Sequence, residues 1–152
     1  MAKSTHVYVS YIRTTPDKLW QALTDPEFTR QYWFGMRSES DFKTGSPWRL
    51  VSSSSGEVWD SGSIIEADPP RKLVIRWVHQ MKPEMKAEGD TTCTMEIERG
   101  KDACKLTITH TSERDHAKVI EAVSGGWPQV ISNLKSLLET GEITFKDRFV
   151  AS

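Results

Sequence analysis

From His6 to Arg13 the chain alternates. Val7, Val9 and Tyr11 fall on one face and Tyr8, Ser10 and Ile12 on the other, which is the period of a strand. Thr15-Pro16 then signals a helix start, with the threonine as N-cap and the proline at the first helical position. Leu19, Trp20 and Leu23 supply its apolar stripe. Asp25-Pro26-Glu27 repeats the start signal, so a second short helix carries Phe28 toward Tyr32 and Trp33, and Gly35 ends the pair. From Met36 to Thr111 the pattern is strand-like. Arg37–Phe42, Trp48–Ser53, Glu57–Ala67, Lys72–Gln80, Thr91–Glu98 and Cys104–Thr111 read as strands, broken at Ser54-Ser55-Gly56, Asp68-Pro69-Pro70 and Arg99–Ala103. The polar stretch Met81–Asp90, with Pro83 and Gly89, reads as a long mobile loop. Glu113–Lys118 reads as a solvated helix start.

Ile120, Val123, Trp127, Val130, Ile131, Leu134, Leu137 and Leu138 recur at helical spacing and predict one long amphipathic helix. Pro128 inside it predicts a kink or a fresh start, and Gly141 a C-terminal cap. A run of strands between helices predicts an α+β fold with an antiparallel sheet of about six or seven strands. The helix stripe needs a large apolar surface to cover it. The simplest packing is a curved sheet gripping that helix. Residues 1–152 read as one domain, with 142–152 a tail without an assigned element.

The chain has 152 residues, enough for a real core. Twenty basic against 21 acidic residues exclude the basic surplus that nucleic-acid binding needs and give no pull toward an anionic membrane. No apolar run is long enough to span a bilayer. With a polar start at Met1–Thr5 this reads as a cytoplasmic protein. Six tryptophans, Trp20, Trp33, Trp48, Trp59, Trp77 and Trp127, change the picture: they form either a bulky core or the walls of a cavity.

Cys93 and Cys104 imply no disulfide scaffold. If Glu98 lies near Ala103 in the hairpin, Ile97 faces Cys104 and Cys93 faces Ile108, which holds the thiols too far apart to bridge. The four histidines, His6, His79, His110 and His116, lack ligand spacing, so no metal or other cofactor is expected. Phosphate cradles and serine-nucleophile motifs are absent. Asp41, Asp60 and Asp68 read as turn-associated, with no carboxylate partner for hydrolysis.

Several segments together carry a resemblance: Pro16–Pro26, Tyr32–Gly35, Gly45–Trp48, Asp68–Val74, Gly125–Pro128 and Asn133–Gly141. The chain resembles the START-like (SRPBCC) superfamily. Within it, the chain is similar to the bacterial family named for the activator of the heat-shock-protein-ninety ATPase. The resemblance implies the helix-grip fold, a cavity between sheet and helix that receives an apolar small molecule in related proteins, and, through the family name, a chaperone partner and a link to stress response.

The residues expected around such a cavity are Trp33, Phe34, Trp48, Trp59, Trp77, Met81, Met85, Trp127 and Ile131; core filling is the alternative for each. In Lys72–Gln80, Leu73, Ile75, Trp77 and His79 share one face, but the pattern leaves open which face meets the helix. His79 and His110, near strand ends, are either acid–base groups or hydrogen-bonded structural histidines. Arg76 and Glu96, on neighbouring strands, fit an outer-face pair. The expected function is binding of a small apolar, lipid-like or polycyclic molecule by a monomer or homodimer. An enzyme of the cyclase or dehydratase type using a cavity histidine is the alternative, and a chaperone-regulating interaction module is the third reading.

Overall fold

The computed structural model describes residues 3–151. The chain enters on β1 (Ser4–Ile12), crosses through α1 (Pro16–Thr24) and α2 (Pro26–Tyr32), and lays down β2 (Met36–Ser40), β3 (Pro47–Ser52), β4 (Val58–Asp68) and β5 (Lys72–His79). A short helix, α3 (Pro83–Lys86), leads to β6 (Thr91–Arg99), β7 (Cys104–Ser112) and the long α4 (Lys118–Thr140). All seven strands join one antiparallel sheet in the order β1-β7-β6-β5-β4-β3-β2. The two helices after β1 therefore carry the chain across to the opposite edge, and the meander returns until β7 pairs with β1.

Local chemistry places the helix ends. Thr15 accepts a hydrogen bond from the Lys18 amide at 3.3 Å, and Asp25 accepts one from the Glu27 amide at 2.9 Å. Ala117 cannot cap α4. The Glu88 carboxylate does so from outside the helix, accepting from the amides of Lys118 (2.9 Å) and Val119 (3.2 Å). At the other end Gly141 adopts φ +86 and donates its amide to Leu137. Bulges at Leu50/Val51 and near Ile65 bend the sheet around α4, whose buried face includes Trp127, Val130, Ile131 and Leu134.

The α+β helix-grip architecture is as expected, with local corrections. Met81–Asp90 contains the helix α3 and is fixed at Glu88, where a lack of capping side chains on α4 gives the loop a partner. Pro128 neither ends nor restarts α4, which runs through it unbroken. Residues 113–117 form a turn, and the helix begins only at Lys118. The β6–β7 hairpin differs from expectation in register: Arg99 pairs with Cys104, Ile97 with Leu106 and Cys93 with His110, a two-residue shift that keeps every side chain on its expected face. Both cysteines are free and buried. Asp60 lies within β4, not in a turn. Arg76 faces outward beside Asp90 and opposite Thr92, while Glu96 pairs with Lys72. No helix among the described residues is long and apolar enough to cross a membrane.

Candidate functional site

The parity of β5 aims Leu73, Ile75 and Trp77 at α4 and leaves Arg76 outside. Trp77 becomes the hub of an aromatic cluster. Its ring centroid lies 4.5 Å from Trp48, 6.0 Å from Trp33 and 5.9 Å from Trp127, and Trp33 and Trp127 are 5.1 Å apart. These rings do not close the space between sheet and helix. A cleft of about 300 Å³ remains. Trp33, Trp77, Trp127 and Met85 form its buried walls, and Met36, Leu50, Val119, Ala122, Val123 and Val130 complete the apolar lining. Trp59, 37% exposed, stands at the mouth. Gly126 lines the cleft beside Trp127, and a Cβ placed there would meet no atom within 4 Å.

Four ionisable side chains also line the cleft: Asp60, His79, Lys82 and Arg148. Asp60 and His79 are opposite one another on β4 and β5, with His79 Nδ1 3.2 Å from Asp60 Oδ1. The same carboxylate oxygen accepts the Trp77 indole N–H at 2.8 Å. Asp60 is buried, so these partners compensate the desolvation of its charge. His79 Nε2 is buried without a hydrogen-bond partner. Among the described residues no group of three or more His, Cys, Asp or Glu side chains is placed to hold a metal ion.

Of the residues singled out by sequence, Trp33, Trp59, Trp77, Met85, Trp127 and His79 line the cleft. Trp48 lies behind Trp77, fully buried, with its indole N–H donated to Ser38 at 2.8 Å. Ile131 is buried in the core below. Met81 is exposed away from the lining, and Phe34, at φ +50 in the turn before β2, lies under the Arg148 guanidinium. His110 is buried at 0% exposure and does not reach the cleft. Its Nδ1 accepts the Trp127 indole N–H at 3.3 Å, and its Nε2 is 2.7 Å from Thr91 Oγ1. Burial, with repulsion from His6 added, depresses its pKa to about 3.

Sequence reasoning missed Asp60, Lys82 and Arg148 as lining residues. Asp60 follows Trp59 in a strand whose parity was readable; the other two depend on α3 and on the tail, which have no periodic signal. The tail is held by Asn133, whose Oδ1 accepts the amides of Thr144 (2.9 Å) and Phe145 (2.7 Å), while its Nδ2 donates to the carbonyls of Phe145 and Tyr32.

No curated protein matches the chain. Solved structures share its fold. Protein MLL2253 from Mesorhizobium loti superposes with a TM-score of 0.77 at 21% identity, covering 92% of this chain and 100% of that one. PFC0360w, an HSP90 activator from Plasmodium falciparum, gives 0.71 at 24% identity over 88% and 95% of the two chains. The Aha1 dimer from Colwellia psychrerythraea gives 0.73 at 17% identity over 91% and 98%. At such identities the likeness is one of fold, the START-like helix grip. The family described as Activator of Hsp90 ATPase homolog 1-like protein matches residues 13–139, most of the sheet and nearly all of α4, and the chain belongs to that family.

Proposed function

We propose that the protein binds a small apolar molecule in the cleft between the sheet and α4. The observation that supports this most directly is the gap left by Trp33, Trp77 and Trp127: three large rings in mutual contact still leave about 300 Å³, the lower end of the range for ligand pockets. A two-ring compound burying about 200 Å² of apolar surface gains roughly 5 kcal/mol at about 25 cal/mol per Å². Immobilisation removes part of that, so apolar contact alone gives weak binding and polar groups must sharpen it. Asp60 and His79 are the polar pair in the wall.

Four indoles line the cleft, so intrinsic tryptophan fluorescence is the test. Titration with a library of polycyclic and lipid-like compounds should give saturable changes for a subset. A flat response across the library from folded protein would count against the reading.

An acid–base enzyme of the cyclase or dehydratase type is the second reading, favoured by the close approach of His79 to Asp60 at the cleft wall. His79→Gln would then abolish turnover and leave ligand binding in place. A partner protein or second copy has its own support in Val7, Val9 and Tyr11, an exposed apolar stripe on the edge strand β1.

A further inference from the structure

We propose that the cleft selects an apolar molecule carrying a carboxylate, and that Lys82 and Arg148 receive that group at the mouth. The inference rests on the binding reading above and names the ligand class.

The charges around the cleft are unevenly satisfied. Asp60 already has the Trp77 indole N–H and His79 against it. Lys82 and Arg148 line the same space, and among the described residues neither has a carboxylate within 4 Å. Both are exposed, whereas the aromatic walls are buried, so the two cations sit at the opening and the apolar surface lies inside. A molecule with an apolar body and one anionic end matches that order. A cationic molecule would meet two like charges.

Arg148 is also oriented. Its guanidinium carbon lies 5.0 Å from the centre of the Phe34 ring. Contact between the guanidinium and the ring uses the cation–π attraction of Phe34 and leaves N–H donors available for a carboxylate. Its place in the chain is fixed on both sides, by the Asn133 clamp on Thr144 and Phe145 and by the Phe149 amide, which donates to Gln129 Oε1 at 2.8 Å. Lys82 immediately precedes α3, and Met85 of that helix forms part of the wall. The cations thus come from two segments far apart in sequence, each anchored next to the same cleft.

The test compares 2-naphthoate with 2-naphthamide, its uncharged isostere, by isothermal titration calorimetry on the full chain. The acid should bind about tenfold more tightly than the amide. Lys82→Gln combined with Arg148→Gln should erase that advantage, bringing the affinity for the acid down to that for the amide, and Arg148→Lys should retain part of it. Circular dichroism confirms the fold of each variant. Equal affinity for acid and amide overturns the carboxylate assignment and leaves the apolar-binding reading standing. A preference for the acid that survives in the double variant overturns the assignment to these two residues. Absence of binding by both compounds overturns the inference, and a flat response in the library titration as well overturns the reading beneath it.

Discussion

Trp127 on α4 donates its indole N–H to Nδ1 of His110 on β7 across 3.3 Å, joining the long helix to the sheet through the aromatic cluster. The donor decides the tautomer: Nδ1 must accept, so the proton resides on Nε2, which donates to Thr91 Oγ1 at 2.7 Å, and Thr91 in turn donates to the Trp77 carbonyl at 3.1 Å. A single directed chain thus runs from helix to sheet, and both nitrogens of the buried ring are satisfied. Trp127→Phe keeps most of the apolar area and leaves His110 Nδ1 without a donor. The expected loss is about 1–3 kcal/mol of stability, read from urea midpoints. A variant as stable as the wild type would show that the contact contributes nothing.

His110 also gives the fold a pH response of known sign. Its pKa is about 3 in the folded protein against 6.5 for the free side chain. Above pH 6.5 the ring is neutral folded or unfolded, and stability does not depend on it. Between pH 6.5 and 3 the unfolded chain takes up a proton that the folded one refuses, so stability falls as the pH drops, by about 1.4 kcal/mol per unit. His110→Gln removes this component. Its deficit relative to wild type should therefore shrink steadily between pH 6.5 and 4 in denaturant titrations. Parallel pH profiles for the two proteins would contradict the buried, neutral assignment.

The strand and helix pattern was legible because it depends on period. Alternation put Trp77 with Leu73 and Ile75, and only the position of α4 shows that this face is the inner one. The site was less legible, because its polar members depend on contacts between distant segments. Asp60 resembles a turn aspartate until Trp77 and His79 are placed against it. Arg148 lies in a tail without periodicity, fixed by Asn133, a residue that reads in sequence as one polar position on an apolar helix face. Pro128 reads as a breaker, yet α4 continues through it because packing of its flanking apolar residues outweighs the lost hydrogen bond.

Gly62 is opposite Trp77 in the β4–β5 ladder, and a Cβ added there would fall 1.7 Å from the Arg76 carbonyl oxygen. No rotamer change relieves a clash between two backbones. Gly62→Ala should force the strands apart where Trp77 reaches Asp60, at a cost of about 3 kcal/mol or more. A thermal scan checks it, since a domain of this size loses roughly 2–4 °C per kcal/mol. An unchanged melting temperature would refute the close approach.

Asn133 is fully buried and uses both ends of its amide. Asn133→Ala strands the buried Tyr32 carbonyl and releases residues 144 and 145. Stability should fall by about 2 kcal/mol, given one such orphaned group and the lost bonds. The tail beyond Gly141 should become sensitive to dilute protease, while cleavage within the sheet stays slow. Wild-type resistance at Lys146 and Arg148 in the variant would mean that other contacts hold the tail.

Gly126 separates stability from binding. It lies in the interior of α4 and lines the cleft, where a side chain would meet open space. Glycine there is unfavourable for the helix by about 0.8–1 kcal/mol relative to alanine. Gly126→Ala should therefore stabilise the protein by up to that amount. Gly126→Leu should also fold, but its side chain occupies volume that a ligand needs. Compounds that quench the tryptophans of the wild type should then leave Gly126→Leu unaffected, while Gly126→Ala retains part of the response. Equal binding by Gly126→Leu and wild type would place the ligand elsewhere, because a leucine side chain at this position takes up part of the roughly 300 Å³ that a two-ring molecule would fill.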